Sequence, residues 1–492
     1  VKARLAMVAG GLLFALAATA NSGGYRYGVS DQAFYVPAIA MTLDSSLYPR
    51  DSELLGPQVR MWPGRYLFAG ATRALSIDLP ALFALAYLLT LAILYAAGIQ
   101  LGRALGLSWW AIAALLLVFT LRHQIARTGA NSLEAYMHPR MFAFACGLAG
   151  VAWLVRGRLG RAWAAVAVTA AVHPTTAIWF GALVAVATFV APGPASLARR
   201  ITGALAAAGV AIVVMLVVMR PDVGVMDAAW REAIQEKTYL FAAQWPVSAW
   251  LLNLAYPVAI GLVFRRRRLL GRASPGETAM VVGVFALVAG FLVSATLTAV
   301  GIAAVVQLQV SRVFWLLDAI TAAYLAWWLV DDIAARRHSR LQIAAVATLA
   351  LLSAGRGYYL LRVQADRPLA RVGLPPGGWT DAMMWLRSRP EPWQVLADPA
   401  HGWLYGSSVR VAAFKDTWLE LSKDSAMALY DRKVAMRAAE RRAAIPEPWV
   451  TDAAVQVLDE KYGLDVFVLD SAFVLDRPVL YRNKDFVIYD LR

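Results

Sequence analysis

The chain has 492 residues, 60% of them hydrophobic and 16% charged, with a formal net charge of +15. A soluble domain carries roughly 25% charged residues, so this composition excludes an ordinary globular chain and points to a protein of the bilayer. Nor does the positive charge mark a nucleic-acid binder, because the basic residues cluster in short loops between apolar runs, as the positive-inside rule requires.

Lys2 and Arg4 precede the first apolar run, 5–20. Its end, Ala18-Thr19-Ala20, would also suit a signal cleavage site. A retained first helix is the simpler reading, because many further runs follow. These lie near 79–100, 108–121, 141–155, 162–172, 175–191, 201–219, 248–264, 278–300, 313–330 and 341–355. A span needs about 20 apolar residues. With Lys2 and Arg4 in the cytoplasm, the basic groups at Arg103, Arg156–Arg161, Arg199–Arg200, Arg265–Arg268 and Arg336–Arg340 all fall on the same side if 162–191 crosses twice or enters and returns. The break then falls at His173-Pro174, because proline cannot continue the helical ladder and restrains the residue before it. This reading predicts a mainly α polytopic bundle over 1–355, with about eleven membrane segments. The outer-side stretches are 21–78, 122–140, 173–176, 220–247, 301–312 and everything after about 356.

The long first loop, 21–78, holds the stretch Tyr25 to Asp51, which is too polar to span and too aromatic for a plain linker. Phe34 to Leu43 and Arg65 to Leu75 read as amphipathic helices lying at the membrane interface. From 356 to 492 the composition becomes that of a soluble α/β domain on the outer face. There Trp379 to Arg387 and Ser422 to Arg442 read as helices. Gln394 to Ala397, Val409 to Phe414, Val479 to Tyr481, Asp465 to Leu469 and Phe486 to Tyr489 read as strands. With Cys146 as the single cysteine, no disulfide can form within the chain. Zinc spacing, a Walker loop and GxGxxG are all absent from the sequence.

Asp31 is the first acid after the first helix, with Tyr25, Tyr27, Phe34 and Tyr35 close to it in sequence. An acid among aromatics suits sugar and isoprenoid surfaces, and partial burial tunes a base. The competing reading makes Ser30 or Asp31 the cap of a helix from Gln32 to Leu43. Asp51 and Glu53 follow in the same loop. The segment EAYMHPR supplies Glu134, His138 and Arg140, and His138-Pro139 and His173-Pro174 repeat one device, a histidine before a helix-opening proline. A histidine and an arginine at a helix N-terminus can hold a phosphate, although proline there is also ordinary helix-start grammar. Arg312 precedes the apolar run that contains Asp318 and is the expected partner of that acid; otherwise it is a snorkelling anchor. The acids and bases of VAAFKDTWLELSKDS read as a solvated surface.

Taken together, these features resemble the GT-C glycosyltransferases, membrane enzymes that use polyprenyl-phosphate-linked sugars. The likeness lies in Asp31 in the first outer loop, the interfacial helices there, the polar break HPTT at 173–176, and the C-terminal outer domain. EAYMHPR and HPTTAIWFG also resemble a group of bacterial membrane proteins of this type. The resemblance implies an inverting transferase of the bacterial inner membrane, with its C-terminal domain extracytoplasmic. Its donor would be a polyprenyl-phosphate-linked sugar and its acceptor an envelope glycan, lipid or protein. Asp31 would be the catalytic base or acceptor-orienting acid. Asp51 or Glu53 would serve as a second acid, and Glu134, His138, Arg140, His173 and Arg312 would contact substrate. The sequence departs from the pattern in having no adjacent acid pair and in carrying His173 where lysine is common, which leaves use of a divalent metal open. The alternative class is a non-catalytic transporter or assembly partner of an envelope-polysaccharide system. A transporter would show mid-membrane charges and internal repeats; Asp318 is the main buried charge and no clear repeat is present, which favours the enzyme.

Overall fold

The computed structural model describes residues 2–190, 224–335 and 339–492. The chain is mainly helical with a small C-terminal sheet. Among the described residues six helices are long and apolar enough to cross a membrane: Arg4–Asn21, Leu79–Ala104, Val247–Leu269, Pro275–Val300, Ala303–Ala334 and Ser339–Gln364. Trp109–Thr120, Pro139–Val155, Leu159–Val172 and Pro174–Val190 are apolar but shorter. The apolar run 201–219, with Arg199 and Arg200, lies outside the described residues, as does Arg336.

The described chain forms two compact units. The first comprises Val1–Tyr25, Leu85–Val225 and Thr238–Ala370; the second comprises Arg26–Ala84, Met226–Lys237 and Arg371–Arg492. This differs from a continuous division at 355/356, because most of the first loop folds in the same unit as the C-terminal residues.

In the first unit the expected break is present. One helix ends at Val172 and the next begins at Pro174, with His173 extended between them. The two helices run back along each other, since a Cβ at Gly181 would lie 3.5 Å from Val166. Helices of 14 and 17 residues are only about 21–26 Å long, short of a hydrocarbon core of roughly 30 Å. Gly147 lets the Phe180 ring lie directly against the Pro139–Val155 helix, where any side chain would collide with it.

Buried polar contacts fix the remaining helices of this unit. Asn21 donates to the carbonyl and hydroxyl of Ser353, both at 3.0 Å, and the Ser353 hydroxyl meets that of Thr120 at 2.8 Å. Arg267 pairs with Glu277 at 2.7 Å, and Tyr324 donates to the same carboxylate at 3.0 Å. Arg267 is therefore a buried structural residue, and the 265–268 run forms the end of the Val247–Leu269 helix and not a loop.

The second unit is built on a five-stranded sheet in the order Asp416–Thr417, Gln394–Leu396, Val466–Asp470, Phe486–Asp490, Val479–Arg482. The first three strands are parallel and the last two join antiparallel. Side chains alternate across a sheet. Val466 and Val468 thus pack with Trp379 and Met383 of the Gly378–Arg387 helix. Phe467 and Leu469 pack with Val455 and Leu458 of the Asp452–Tyr462 helix. Helices therefore cover both faces.

Three local expectations are corrected here. Val409–Ala412 is a short helix, capped by Ser408, and the strand comes later at Asp416–Thr417. The alternating valines mislead because both faces of this segment are buried. Ser422 to Arg442 is two helices, Leu421–Met427 and Arg432–Ala443, the second opened by the Asp431 side chain accepting from the Lys433 amide at 2.8 Å. Gln32–Leu43 is not amphipathic; it is buried from Gln32 to Ala40, with Phe34 packed on Met427 and Val434. Gly64–Leu75 does expose apolar side chains, among them Tyr66 and Leu67.

A buried charge network ties the first-loop residues of this unit to its C-terminal residues. Arg410, fully buried, meets Asp51 at 2.8 Å, Asp424 at 2.7 Å and Glu420 at 3.5 Å. Asp51 also takes Arg437 and the Thr417 amide, and its own amide donates to Asp416 at 2.8 Å. The segment read as a solvated surface is thus largely interior. Replacing Arg410 with Met leaves Asp424 and Glu420 without their guanidinium and Asp51 with Arg437 alone, and is expected to destabilise the second unit by about 3–5 kcal/mol, read as a lowered midpoint for thermal onset of proteolysis within 371–492.

Asp416 carries a second test. Burial, and then the charge of Asp51, push its carboxyl up from 3.8 to about 6. A group that holds its proton more tightly when folded contributes stability that is full below about pH 3.8 and lost as the pH rises through about 6. Asp51 acts oppositely: burial resists its ionisation, but Arg410 and Arg437 outweigh burial and hold it below its usual range. The wild-type melting temperature should therefore carry a component that falls between these pH values, and Asp416→Asn should remove it.

Candidate functional site: a cationic cluster at three helix starts

Three helices of the first unit begin close together, each behind a charged or imidazole side chain. His138 precedes Pro139–Val155, His173 precedes Pro174–Val190, and Arg312 precedes Val313–Ala326. Proline at a first helical position lacks only an N–H that would go unbonded there, so both His-Pro pairs start a helix cleanly. The His138 and His173 rings lie 6.4 Å apart. His138, Arg140 and Arg312 are all within electrostatic reach of His173.

The imidazoles are oriented by local bonds. Nδ1 of His138 accepts from the Arg140 amide at 3.1 Å. Nδ1 of His173 meets the Thr176 and Thr175 hydroxyls at 2.9 and 3.1 Å. In the neutral form, Nδ1 used as an acceptor leaves the proton on Nε2, which becomes a donor. Arg140 is buried, pairs with Glu134 at 3.1 Å and lies 5.7 Å over the Trp315 ring. Glu134 also takes Asn131 and Arg122; its geometry is that of an acid positioning arginines.

Trp315 stacks on Phe144 at 4.0 Å, and this pair borders two hollows. One, of about 290 Å³, is lined by Arg312, Thr175, Thr176 and Trp179. The other, of about 340 Å³, is walled by Leu94, Val118, Phe119 and Ala322 and carries His123 and Asp318. Asp318 lies within electrostatic reach of Tyr256 and pairs with His123 at 3.1 Å. Its described ion-pair partner is therefore His123 and not the expected Arg312. The Asp318 carboxylate in turn holds the His123 ring above its usual range.

The other expected site residues are in the second unit. Asp31 stands at the N-cap position of Gln32–Leu43, but its carboxylate makes no capping bond. It accepts from Lys423 Nζ at 2.8 Å and stays one-third exposed. Asp51 is at the centre of the buried network, and Glu53 is exposed in the first turn of Ser52–Met61. No group of three or more histidine, cysteine, aspartate or glutamate residues is placed to hold a metal ion among the described residues. Sequence reasoning missed Lys423, Trp315 and the His123–Asp318 pair. A histidine in the loop before one apolar run and an acid inside another were the available signal for that pair.

No protein-family model matches the chain, and no curated protein matches it by sequence. Among solved structures it is similar to the oligosaccharyltransferase of Archaeoglobus fulgidus in its apo form. The identity is 13% and the TM-score 0.47, with 94% of this chain and 69% of that one covered. A likeness of this degree carries no argument about activity.

If the cluster binds a phosphate, Arg312→Ala should weaken binding of a polyprenyl phosphate by about 1.5–3 kcal/mol, the range for a charged hydrogen bond. Titration of the purified protein with the lipid measures it. Unchanged affinity would leave Arg312 as a membrane anchor.

Proposed function

We propose that the protein is a membrane glycosyltransferase of the GT-C type. It moves a sugar from a polyprenyl-phosphate donor to an envelope glycan, lipid or protein acceptor, with inversion. The observation that carries this reading is the convergence of His138, Arg140, His173 and Arg312 at helix starts in a bundle of membrane-length helices. Cations and helix N-termini stabilise a phosphate as negative charge develops on it. The acceptor hydroxyl attacks the anomeric carbon as the bond from that carbon to the phosphate oxygen breaks. The bonding pair leaves on the phosphate, and the hydroxyl proton passes to a base. Asp31 is assigned that base, Asp51 supports its unit, Glu134 positions Arg140, and Glu53 is assigned to substrate binding. The proposed location is the bacterial inner membrane, with residues 356–492 outside the cytoplasm.

A second reading has one observation in its favour. Asp318, in a membrane-length helix with His123 paired to it and Tyr256 within electrostatic reach, is the kind of intramembrane acid that transporters use.

Asp31→Asn separates the two. It is expected to preserve folding and not to weaken lipid binding while cutting turnover by about 10²–10⁴, the worth of a positioned acid–base group. Asp44→Asn is the control, because among the described residues the Asp44 carboxylate bonds only to Ser46, past the exposed end of the Gln32–Leu43 helix. The readout is the whole-cell glycan profile at equal expression. A wild-type profile for Asp31→Asn, with loss in Asp318→Asn, would favour transport.

A further inference from the structure

Two ammonium groups lie together on the second unit. Lys423 puts Nζ 2.8 Å from Asp31 Oδ1 and 5.5 Å from the centre of the Phe34 ring. Lys237 puts Nζ 3.4 Å from the carbonyl oxygen of Ser422, the residue before Lys423. Both are sheltered: the Lys423 side chain is 15% exposed and Lys237 is half-buried. Glu236, the residue before Lys237, also offsets its charge, but is shared with Arg442, which it takes through both oxygens at 2.9 and 3.2 Å. Asp31 thus lies among two amines. Burial first, and then repulsion from Lys423, push the Lys237 ammonium below its usual range.

Like charges held in a sheltered place repel more strongly than in open water, and a dianion relieves that repulsion where one carboxylate only partly does. Lysine is a point-charge donor with three rotatable protons, well suited to phosphate oxygens. We propose that Lys237 and Lys423 form a phosphate-binding site, at which a phosphate monoester or diphosphate draws Lys423 off Asp31 and is shared by both amines. Asp31 is then a competitor for the ligand. The claim concerns binding alone and stands whether or not Asp31 takes part in sugar transfer.

Amine footprinting tests it on the full chain in lipid nanodiscs. An acylating reagent is applied, and modification of Lys237 and Lys423 is read by peptide mass spectrometry. Lys461, exposed on the same unit, is the internal reference. Inorganic pyrophosphate is one probe; an isoprenyl phosphate added to the disc is the other. The expected result is saturable loss of labelling at both lysines and none at Lys461. In Asp31→Asn the same protection should need about 2- to 5-fold less probe, the worth of a partly exposed ion pair. Protection by the isoprenyl phosphate alone assigns the ligand to the membrane, and protection by pyrophosphate assigns it to solution. Labelling of either lysine that neither probe changes overturns the site, as does an Asp31→Asn protein that needs more probe.

Discussion

The second unit depends on the neutralisation of Arg410. A guanidinium with no exposed surface is tolerated only if its charge and its donors are matched by acceptors in the same dry place. Asp51 comes from the first loop, Asp424 and Glu420 from the C-terminal residues. None of these is a free choice once Arg410 is buried. Tyr48, three residues before Asp51, also donates to the Arg410 carbonyl at 2.6 Å. A loop that composition presents as a connection between two apolar runs is therefore an integral part of a folded unit. Its path around Asp51 is set by charge as much as by the packing of Phe34, Leu54 and Leu55.

A different constraint shapes the first unit. Its short helices cannot be justified by length, so they must be justified by what stands at their ends. His138-Pro139 and His173-Pro174 do the same local work: proline opens the helix, and the histidine before it is held extended with its Nδ1 turned back onto the first turn. The consequence is chemical as well as structural. An imidazole that spends Nδ1 on its own helix presents Nε2 elsewhere, so the device that starts the helix also aims a donor. Arg140, two residues on, is steadied by Glu134 and the Trp315 face.

What could be read from sequence divides along the range of the interaction involved. The break at 173 was legible because its cause, a proline and its preceding residue, is local. The strands at 394 and 466 were legible because their apolar runs are short and bounded by turns. Asp51 was legible only as a loop acid, since Arg410 lies 359 residues away and no spacing rule joins them. The signal that existed was an arginine embedded in VRVAAF, followed by acids at Asp416, Glu420 and Asp424, at intervals of four. Val409 to Phe414 failed as a strand for the same reason: a segment buried on all sides shows no period to read. The hollow with His123 and Asp318 was half legible, because an acid in an apolar run demands a partner but does not name it.

Asp31 raises the sharpest question of mechanism. An acid chosen as a base should be poised to take a proton, yet its carboxylate accepts from an ammonium at 2.8 Å. A cation that close occupies the oxygen through which the acid would accept a proton. The two properties are compatible only if the amine leaves before the proton moves. Lys423 has somewhere to go if a phosphate arrives, because an anion is a stronger partner for two amines than Asp31 is for one. Under that ordering the ion pair occupies Asp31 while no phosphate is bound, and an anion that draws Lys423 away frees the carboxylate oxygen. The lysine pair and the acid then act in sequence, and the resting contact between them is the state from which that sequence begins.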